Sequence, residues 1–258
     1  MSLAEVLTLF AIGFIGSYVS GMVGIGGSIV KYPLLLYIPP LLGVAVYSAQ
    51  EVAAISAVQV FFATLAGMWA YRRDRFIHPT LVAYMGTAII IGSFFGGYGS
   101  KFLANETINF IYAVLAVIAA VMMFIPRPER EARYEDVTFS KGMAVLSAFV
   151  VGVVSGIVGA AGAFILIPIM LVILNIPTRV AIASSMAITF ISSIGATAGK
   201  VLTGHLLFWP SVIMVIASTL AAPLGVFVAK RVNAKVLKGI LAALILATAV
   251  KIWYDILF

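Results

Sequence analysis

Cysteine is absent from this sequence of 258 residues, which excludes disulfides, thiolate catalysis, zinc sites with cysteine ligands and iron–sulfur clusters. Charge is also scarce. Charged residues make up 10% of the chain, whereas soluble globular domains have about 25%. Apolar residues reach 63% and the mean hydropathy is +1.18. This composition excludes a water-soluble fold and a disordered chain, because polar side chains are too few to cover a surface. An integral membrane protein is expected.

The main feature of the sequence is a series of long stretches without Lys, Arg, Asp or Glu. A helix needs about 20 apolar residues to cross the hydrocarbon of a bilayer. The charge-free stretches are residues 6–30, 32–50, 52–71, 76–100, 107–126, 142–178, 180–199 and 201–229, with a shorter one at 239–250. They predict an all-α polytopic membrane protein. No cleavable signal peptide is expected, because the chain starts without a basic segment.

A polar segment at residues 126–141 divides the chain into two membrane halves, 1–125 and 142–258. The halves resemble each other: residues 21–34 match 156–169, and residues 63–67 match 195–199. Internal duplication is typical of many secondary transporters. We therefore predict two repeats of about five segments each, with a glycine-broken short or re-entrant helix in each half.

The distribution of basic residues predicts how the repeats run through the membrane. If 22–38 and 160–175 are counted as crossings, both termini lie outside, the second repeat is inverted and the linker is cytoplasmic. The inner side then carries twelve basic residues, which are Arg72, Arg73, Arg75, Arg127, Arg130, Arg133, Lys141, Arg179, Lys230, Arg231, Lys235 and Lys238. The outer side carries three, Lys101, Lys200 and Lys251. Four crossings per half in a parallel arrangement would give nine against six, so the positive-inside rule favours inverted repeats.

The duplicated glycine runs are the first candidate site. Glycine lets a backbone unwind at membrane depth, and a helix that restarts after such a run aims free N–H groups and a positive dipole end at an anion. The candidate substrate-binding residues are Gly24, Gly26, Gly27, Ser28 and Pro33 in the first half, and Gly159, Gly162 and Pro168 in the second. The alternative is tight helix packing, which we expect for the pairs Gly92/Gly96, Gly152/Gly156 and Gly195/Gly199.

Polar residues inside the apolar stretches are the second candidate. Lys31 lies within a segment, where a cation either serves function or extends to the interface. Glu51 is a proton site, a counter-ion or a solvated carboxylate. Neutral donors can hold an oxyanion without trapping it by full charge. From these we assign Gln59, Ser184, Ser185 and Thr189, with Lys31, to the substrate site.

Other chemistry has little support. The two histidines, His78 and His205, lack nearby carboxylates, so we expect no metal site and no cofactor. A serine hydrolase would have to use Ser100 with His205, and Ser100 lies at a loop edge beside Lys101. We therefore do not expect an enzyme. The nucleotide-binding motif Gly-x-x-x-x-Gly-Lys-Ser/Thr is also missing from the sequence.

The glycine run Gly24-x-Gly26-Gly27 with Pro33, repeated as Gly159-x-x-Gly162 with Pro168, resembles the sulfite exporter TauE/SafE family of membrane permeases. The second copy departs from the glycine-rich pattern. The resemblance implies a permease of the bacterial or archaeal inner membrane that carries small sulfur-containing anions, such as sulfite or organosulfonates. These glycines and prolines would then line its substrate cavity.

The resulting hypothesis is a secondary transporter, and more specifically an exporter, that works by alternating access. Its partners would be a small anion, the lipid bilayer and, in a homo-oligomer, further copies of the chain, with no nucleic acid. Two alternatives stay open: a passive anion channel and a cation-coupled transporter of another small solute.

Overall fold

The computed structural model describes residues 1–24, 28–71, 76–125, 137, 139–159 and 162–257. Within these ranges the regular structure is helical and contains no strand. The prediction of an all-α fold is confirmed.

In the part of the chain that the structure describes, five α-helices lie before the linker and five after it. The first five are α1 (Leu3–Val23), α2 (Ser28–Leu41), α3 (Ala49–Tyr71), α4 (Pro79–Gly99) and α5 (Asn105–Phe124), with a 3-10 turn at Ser100–Phe102. The second five are α6 (Lys141–Val158), α7 (Ala163–Val172), α8 (Thr178–Val201), α9 (Phe208–Ala229) and α10 (Ala234–Leu257).

Seven of these helices are long and apolar enough to cross a membrane: α1, α3, α4, α5, α6, α8 and α9. The helices α2 and α7 have 14 and 10 residues. At 1.5 Å per residue they are about 21 and 15 Å long, less than the ~30 Å of hydrocarbon. The segments 22–38 and 160–175, counted above as crossings, therefore each contain a short helix: 22–38 holds the end of α1 and most of α2, and 160–175 holds α7. Helix α10 has 24 residues but is not among the seven.

Small residues let the long helices touch along their backbones. A Cβ added to Gly21 on α1 would overlap the carbonyl of Ala222 on α9. One added to Gly156 on α6 would overlap the carbonyl of Ser93 on α4. Gly199 on α8 approaches α4 just as closely. The expectation that the Gly-x-x-x-Gly pairs serve packing is confirmed, since close approach through small residues is how membrane helices associate.

Successive contacts also give the relative direction of neighbouring helices. Along α1 and α9, Gly13 meets Ala217 and Gly21 meets Ala222, so these two helices are parallel. The contacts of Gly92 and Gly156 make α4 and α6 parallel in the same way.

Helices α3 and α8 run in opposite directions. Phe61 stacks on Phe190 with ring centroids 5.2 Å apart, and Gly67, further along α3, meets Met186, which lies earlier on α8. Opposite directions for matching helices are what an inverted duplication would produce. The duplication itself stays a prediction.

Candidate polar site at the centre of the bundle

Both glycine runs do interrupt a helix. Helix α1 ends at Gly24, whose φ is 77°, and α2 begins at Ser28. Helix α6 ends at Gly159 with a φ of 72°, Gly162 has a φ of 74°, and α7 follows. These left-handed conformations favour glycine. The predicted site residues Gly26 and Gly27, and the side chain of Ser28, lie outside the described residues.

Each break packs against the other half of the chain. A Cβ on Gly24 would lie 2.6 Å from the carbonyl oxygen of Ile182 on α8. A Cβ on Gly159 would overlap the carbonyl oxygen of Ala53 on α3. In addition, the Ser185 hydroxyl donates to the carbonyl of Gly24 at 2.9 Å. These glycines therefore serve close packing between the halves as well as the reversal of the chain.

The prolines lie further into the short helices than a first turn. Pro33 is the sixth residue of α2, and Pro168 is the sixth residue of α7. Pro33 is half-buried and Pro168 is buried. A proline at this depth lacks an N–H and perturbs the helix that it interrupts, so both short helices carry a matching local weakness.

Lys31 is the centre of a buried polar cluster, which we call the Lys31 cluster: Ser17, Lys31, Gln59 and Ser218. Its amino group is fully buried and donates to the Ser17 hydroxyl at 3.4 Å and to the Gln59 side-chain carbonyl. The Gln59 amide donates to Ser17 at 2.7 Å and to Ser218. The Ser17 hydroxyl donates to Ser218 at 2.9 Å. Four helices, α1, α2, α3 and α9, thus meet through one hydrogen-bonded network.

The Lys31 cluster lies halfway along the spanning helices. Gln59 is the eleventh of the 23 residues of α3, and Ser218 is the eleventh of the 22 residues of α9. Gly16 makes room for the lysine, because a Cβ at that position would overlap the Lys31 side chain. The position near the bilayer centre is the most expensive one for a basic side chain, so Lys31 remains a candidate site residue.

Sequence reasoning found Lys31 and Gln59 but missed Ser17 and Ser218. Single serines are common in membrane helices and often bond only to their own backbone. The feature of the sequence that could have pointed to Ser17 is its position directly after Gly16. The partnership of Ser17 with Ser218 joins residues 201 positions apart, so only the fold reveals it.

The same positions in the second half are apolar. Gly159 and Gly24 make equivalent contacts, so Leu166, seven residues after Gly159, corresponds to Lys31. By the same contacts Ile188 corresponds to Gln59. Ser17 and Ser218 correspond to Gly152 and Ile89, which touch each other. All four of these residues are buried.

The predicted hydroxyls on α8 have different surroundings. Ser184 accepts from the backbone N–H of His78 at 3.0 Å, and Ser185 bonds to the end of α1. Thr189 is fully buried, and its hydroxyl has no hydrogen-bond partner in the described region. The hydroxyls of Ser56 and Ser192 share this property. An unsatisfied buried hydroxyl is costly, and Thr189 is the member of the predicted site that a ligand would satisfy.

Lys200, which the charge count assigns to the outer side, lies in the last turn of α8. It is 1% exposed, and its amino group donates to the Ser100 hydroxyl at 2.7 Å and to the Ile157 carbonyl at 2.8 Å. The lysine therefore ties the end of α6 to the end of α4. This contact also occupies Ser100, the serine that a hydrolase would have needed.

Glu51 is a helix cap. Its carboxylate accepts from the Ser48 N–H at 2.8 Å, and its own N–H donates to the Ser48 hydroxyl at 3.2 Å, which is a reciprocal capping box. Nearby, the Tyr47 hydroxyl donates to Glu5 at 2.8 Å. Burial and the bond to Glu5 raise the pKa of Tyr47, so this hydroxyl stays protonated.

No group of three or more histidine or acidic side chains in the described ranges is placed to hold a metal ion. His78 caps α4, because its Nδ1 accepts from the Leu81 N–H at 3.1 Å. Its ring also contacts Phe139. These contacts give His78 a local structural role.

Seven apolar spanning helices, two short helices after glycine breaks and a buried polar cluster define a polytopic α-helical membrane protein of the transporter class. The family comparison is specific: residues 9–252 match the model of the sulfite exporter TauE/SafE family. The chain belongs to this family, and it is a membrane transporter.

Curated relatives cover most of the chain. The probable membrane transporter protein YunE of Bacillus subtilis is 22% identical over 97% of this chain and 98% of its own length. The probable membrane transporter protein MJ0441 of Methanocaldococcus jannaschii is 21% identical over 92% of this chain and 91% of its own. YdhB of Bacillus subtilis, with the same description, is 24% identical over 77% and 78%. No solved structure gives a significant match.

Proposed function

We propose that this protein is a secondary transporter that exports small sulfur-containing anions, such as sulfite or organosulfonates, across the bacterial or archaeal inner membrane. The transport class follows from the family. The substrate class is supported by the family description and by the chemistry of the Lys31 cluster.

The observation that carries the proposal is the fully buried Lys31 amino group at the middle of the bundle. Full burial removes the ammonium from water, which costs several kcal/mol. A bound anion would offset this cost in the substrate-loaded state. The amide of Gln59 and the hydroxyls of Ser17 and Ser218 would supply neutral donors to the oxygens of the same anion.

The location of Lys31 within α2 supports the same conclusion. Lys31 is the fourth residue of this helix, close to the end that carries the positive partial charge. A cation is unfavourable there by about 0.3–1 kcal/mol. The charge of Lys31 and the positive end of the α2 dipole thus lie close together, and this arrangement favours an anion.

Alternating access would use the two breaks. Each break lies against the opposite half, at Ile182 and at Ala53, so a movement of one half relative to the other changes both contacts. Pro33 and Pro168, which weaken the short helices, would let these helices bend during the movement. Rocking of one repeat against another around a central site is the motion that we propose.

The proposed orientation has the linker in the cytoplasm and both termini outside. The contacts between helix ends support it. The amino group of Lys230 donates to the carbonyl of Ala70 at 2.8 Å, and both are predicted to be inside. The amide of Gln50 donates to the carbonyl of Leu103 at 2.8 Å, and both are predicted to be outside. With the inside negative, export of an anion gains about 2.3 kcal/mol per charge per 100 mV, so export needs no coupling ion.

The experiment is counterflow of labelled sulfite in liposomes that contain the wild type, Lys31→Met or Lys101→Met. Lys101 is the matched control, because its amino group lies over the ring of Tyr98 at the end of α4, away from the cluster. We expect saturable counterflow in the wild type and the control. We expect Lys31→Met to lose it by about tenfold or more, since hydrogen bonds to charged groups contribute roughly 1.5–3 kcal/mol.

The same assay separates the alternatives. Flux that neither saturates nor is accelerated by anion on the opposite side would contradict the carrier proposal and favour an anion channel. Saturable sulfite counterflow that Lys31→Met leaves intact would contradict the proposed site. Transport of another solute that requires a sodium or proton gradient, without sulfite flux, would favour the cation-coupled alternative.

A further inference from the structure

A groove between α4 and α6 opens on the outer surface of the bundle. Its volume is about 590 Å³ and its walls are apolar, with Tyr84 and Ala88 on one side and Gly142 and Phe149 on the other. Lys141 lies at one end of this α4–α6 groove, with its amino group 5.2 Å from the centroid of the Tyr84 ring. The groove is separate from the Lys31 cluster, which is buried between α1, α2, α3 and α9.

The dimensions of the groove correspond to one leaflet of a bilayer. Lys141 and Phe149 are eight residues apart on α6, which is about 12 Å along a helix axis. One leaflet contributes about 15 Å, half of the ~30 Å hydrocarbon core. The groove therefore starts at the membrane boundary, where α6 begins, and ends close to the depth at which acyl chains end.

The groove is polar only at its boundary end. Lys141 and the Tyr84 hydroxyl are placed there, whereas Val145, Leu146 and Phe149 follow towards the centre. The groove is therefore complementary to a phospholipid. Its positive group would contact the anionic phosphate, and its apolar walls would contact a hydrocarbon chain. Basic residues at the membrane boundary attract anionic lipids.

We propose that the α4–α6 groove binds one anionic phospholipid from the leaflet on the linker side, with its phosphate at Lys141 and one acyl chain against Ala88 and Phe149. Gly142 lines the groove, and a Cβ there would meet nothing within 4 Å, so this position borders open space. The lipid would fill the channel between α4 of the first half and α6 of the second.

The test is native mass spectrometry of the purified full-length chain with phosphatidylglycerol or phosphatidylcholine. Two variants address the two parts of the site. Gly142→Leu places a side chain into the open groove, and Lys141→Gln removes the charge. Matched controls are Gly239→Leu, where a Cβ also meets nothing within 4 Å, and Lys235→Gln, an exposed lysine on α10. Melting temperatures of all four variants check that the fold is kept.

We expect the wild type and both controls to retain one phosphatidylglycerol and to prefer it over phosphatidylcholine. Gly142→Leu should lose retention of either lipid. Lys141→Gln should lower the preference for phosphatidylglycerol by about fivefold, the usual contribution of one basic residue near an anionic lipid.

Three results would overturn the proposal. Equal retention of the two lipids by the wild type would remove the charge argument. Equal retention by Gly142→Leu and Gly239→Leu would place the lipid elsewhere. A wild-type dimer that Gly142→Leu converts to a monomer would mean that a second copy of the chain covers the groove. None of these outcomes depends on transport activity.

Discussion

The Lys31 cluster and its counterpart in the second half occupy equivalent positions but differ completely in chemistry. Around Lys31, four polar side chains from four helices bond to one another. At the equivalent place, Leu166 and Ile188 are fully buried among other apolar side chains. Both regions follow a glycine break and both pack tightly. The architecture can therefore be built with either an apolar or a polar interior.

In the second half the corresponding positions are filled by apolar side chains. Because the second half reaches the same arrangement with apolar residues, the polar residues of the first half are retained at a cost in stability. We infer that this cost serves ligand binding.

The largest effect is expected when a lysine is placed at the apolar position. Leu166→Lys would bury an amino group among apolar side chains, and such a group without partners costs several kcal/mol. We expect low yield and an aggregated elution profile in size-exclusion chromatography. The reciprocal variant Lys31→Leu should elute as the wild type does. If Leu166→Lys were as stable as the wild type, the two regions would not differ as described.

A smaller loss of stability is expected from Gly159→Ala. The left-handed backbone alone costs about 1–2 kcal/mol for a residue with a Cβ, and the overlap with the carbonyl of Ala53 adds to it. Gly204→Ala is the matched control, because Gly204 has a φ of 77° and a Cβ there would meet nothing within 4 Å. Thermal unfolding should show the larger decrease for Gly159→Ala. Equal decreases would mean that the contact between the halves is loose.

A loss of transport is expected from Gln59→Leu. The substitution removes the amide that bonds to Ser17 and Ser218. We expect sulfite counterflow to decrease by about tenfold, since an uncompensated hydrogen bond in a buried site costs roughly 1–3 kcal/mol. The corresponding change in the second half, Ile188→Leu, should leave the flux unchanged. A similar decrease for both variants would indicate a general packing effect.

The sequence alone predicted the breaks, because the glycine run occurs twice at matching positions, and it predicted Lys31 because a lone cation in an apolar stretch is unusual. It could not predict Ser17 and Ser218, whose importance depends on a contact between helices far apart in the chain. The burial of Lys200 was equally hidden, because the charge pattern does not reveal that the end of α8 is covered by the ends of α4 and α6.

The central claim is that Lys31 holds the transported anion, and a binding titration tests it most directly. Purified wild type, Lys31→Met and Lys101→Met would be titrated with sulfite by isothermal calorimetry under conditions in which all three remain monodisperse. We expect saturable sulfite binding by the wild type and by Lys101→Met, and no measurable binding by Lys31→Met. Equal affinity of Lys31→Met and the wild type for sulfite would contradict it.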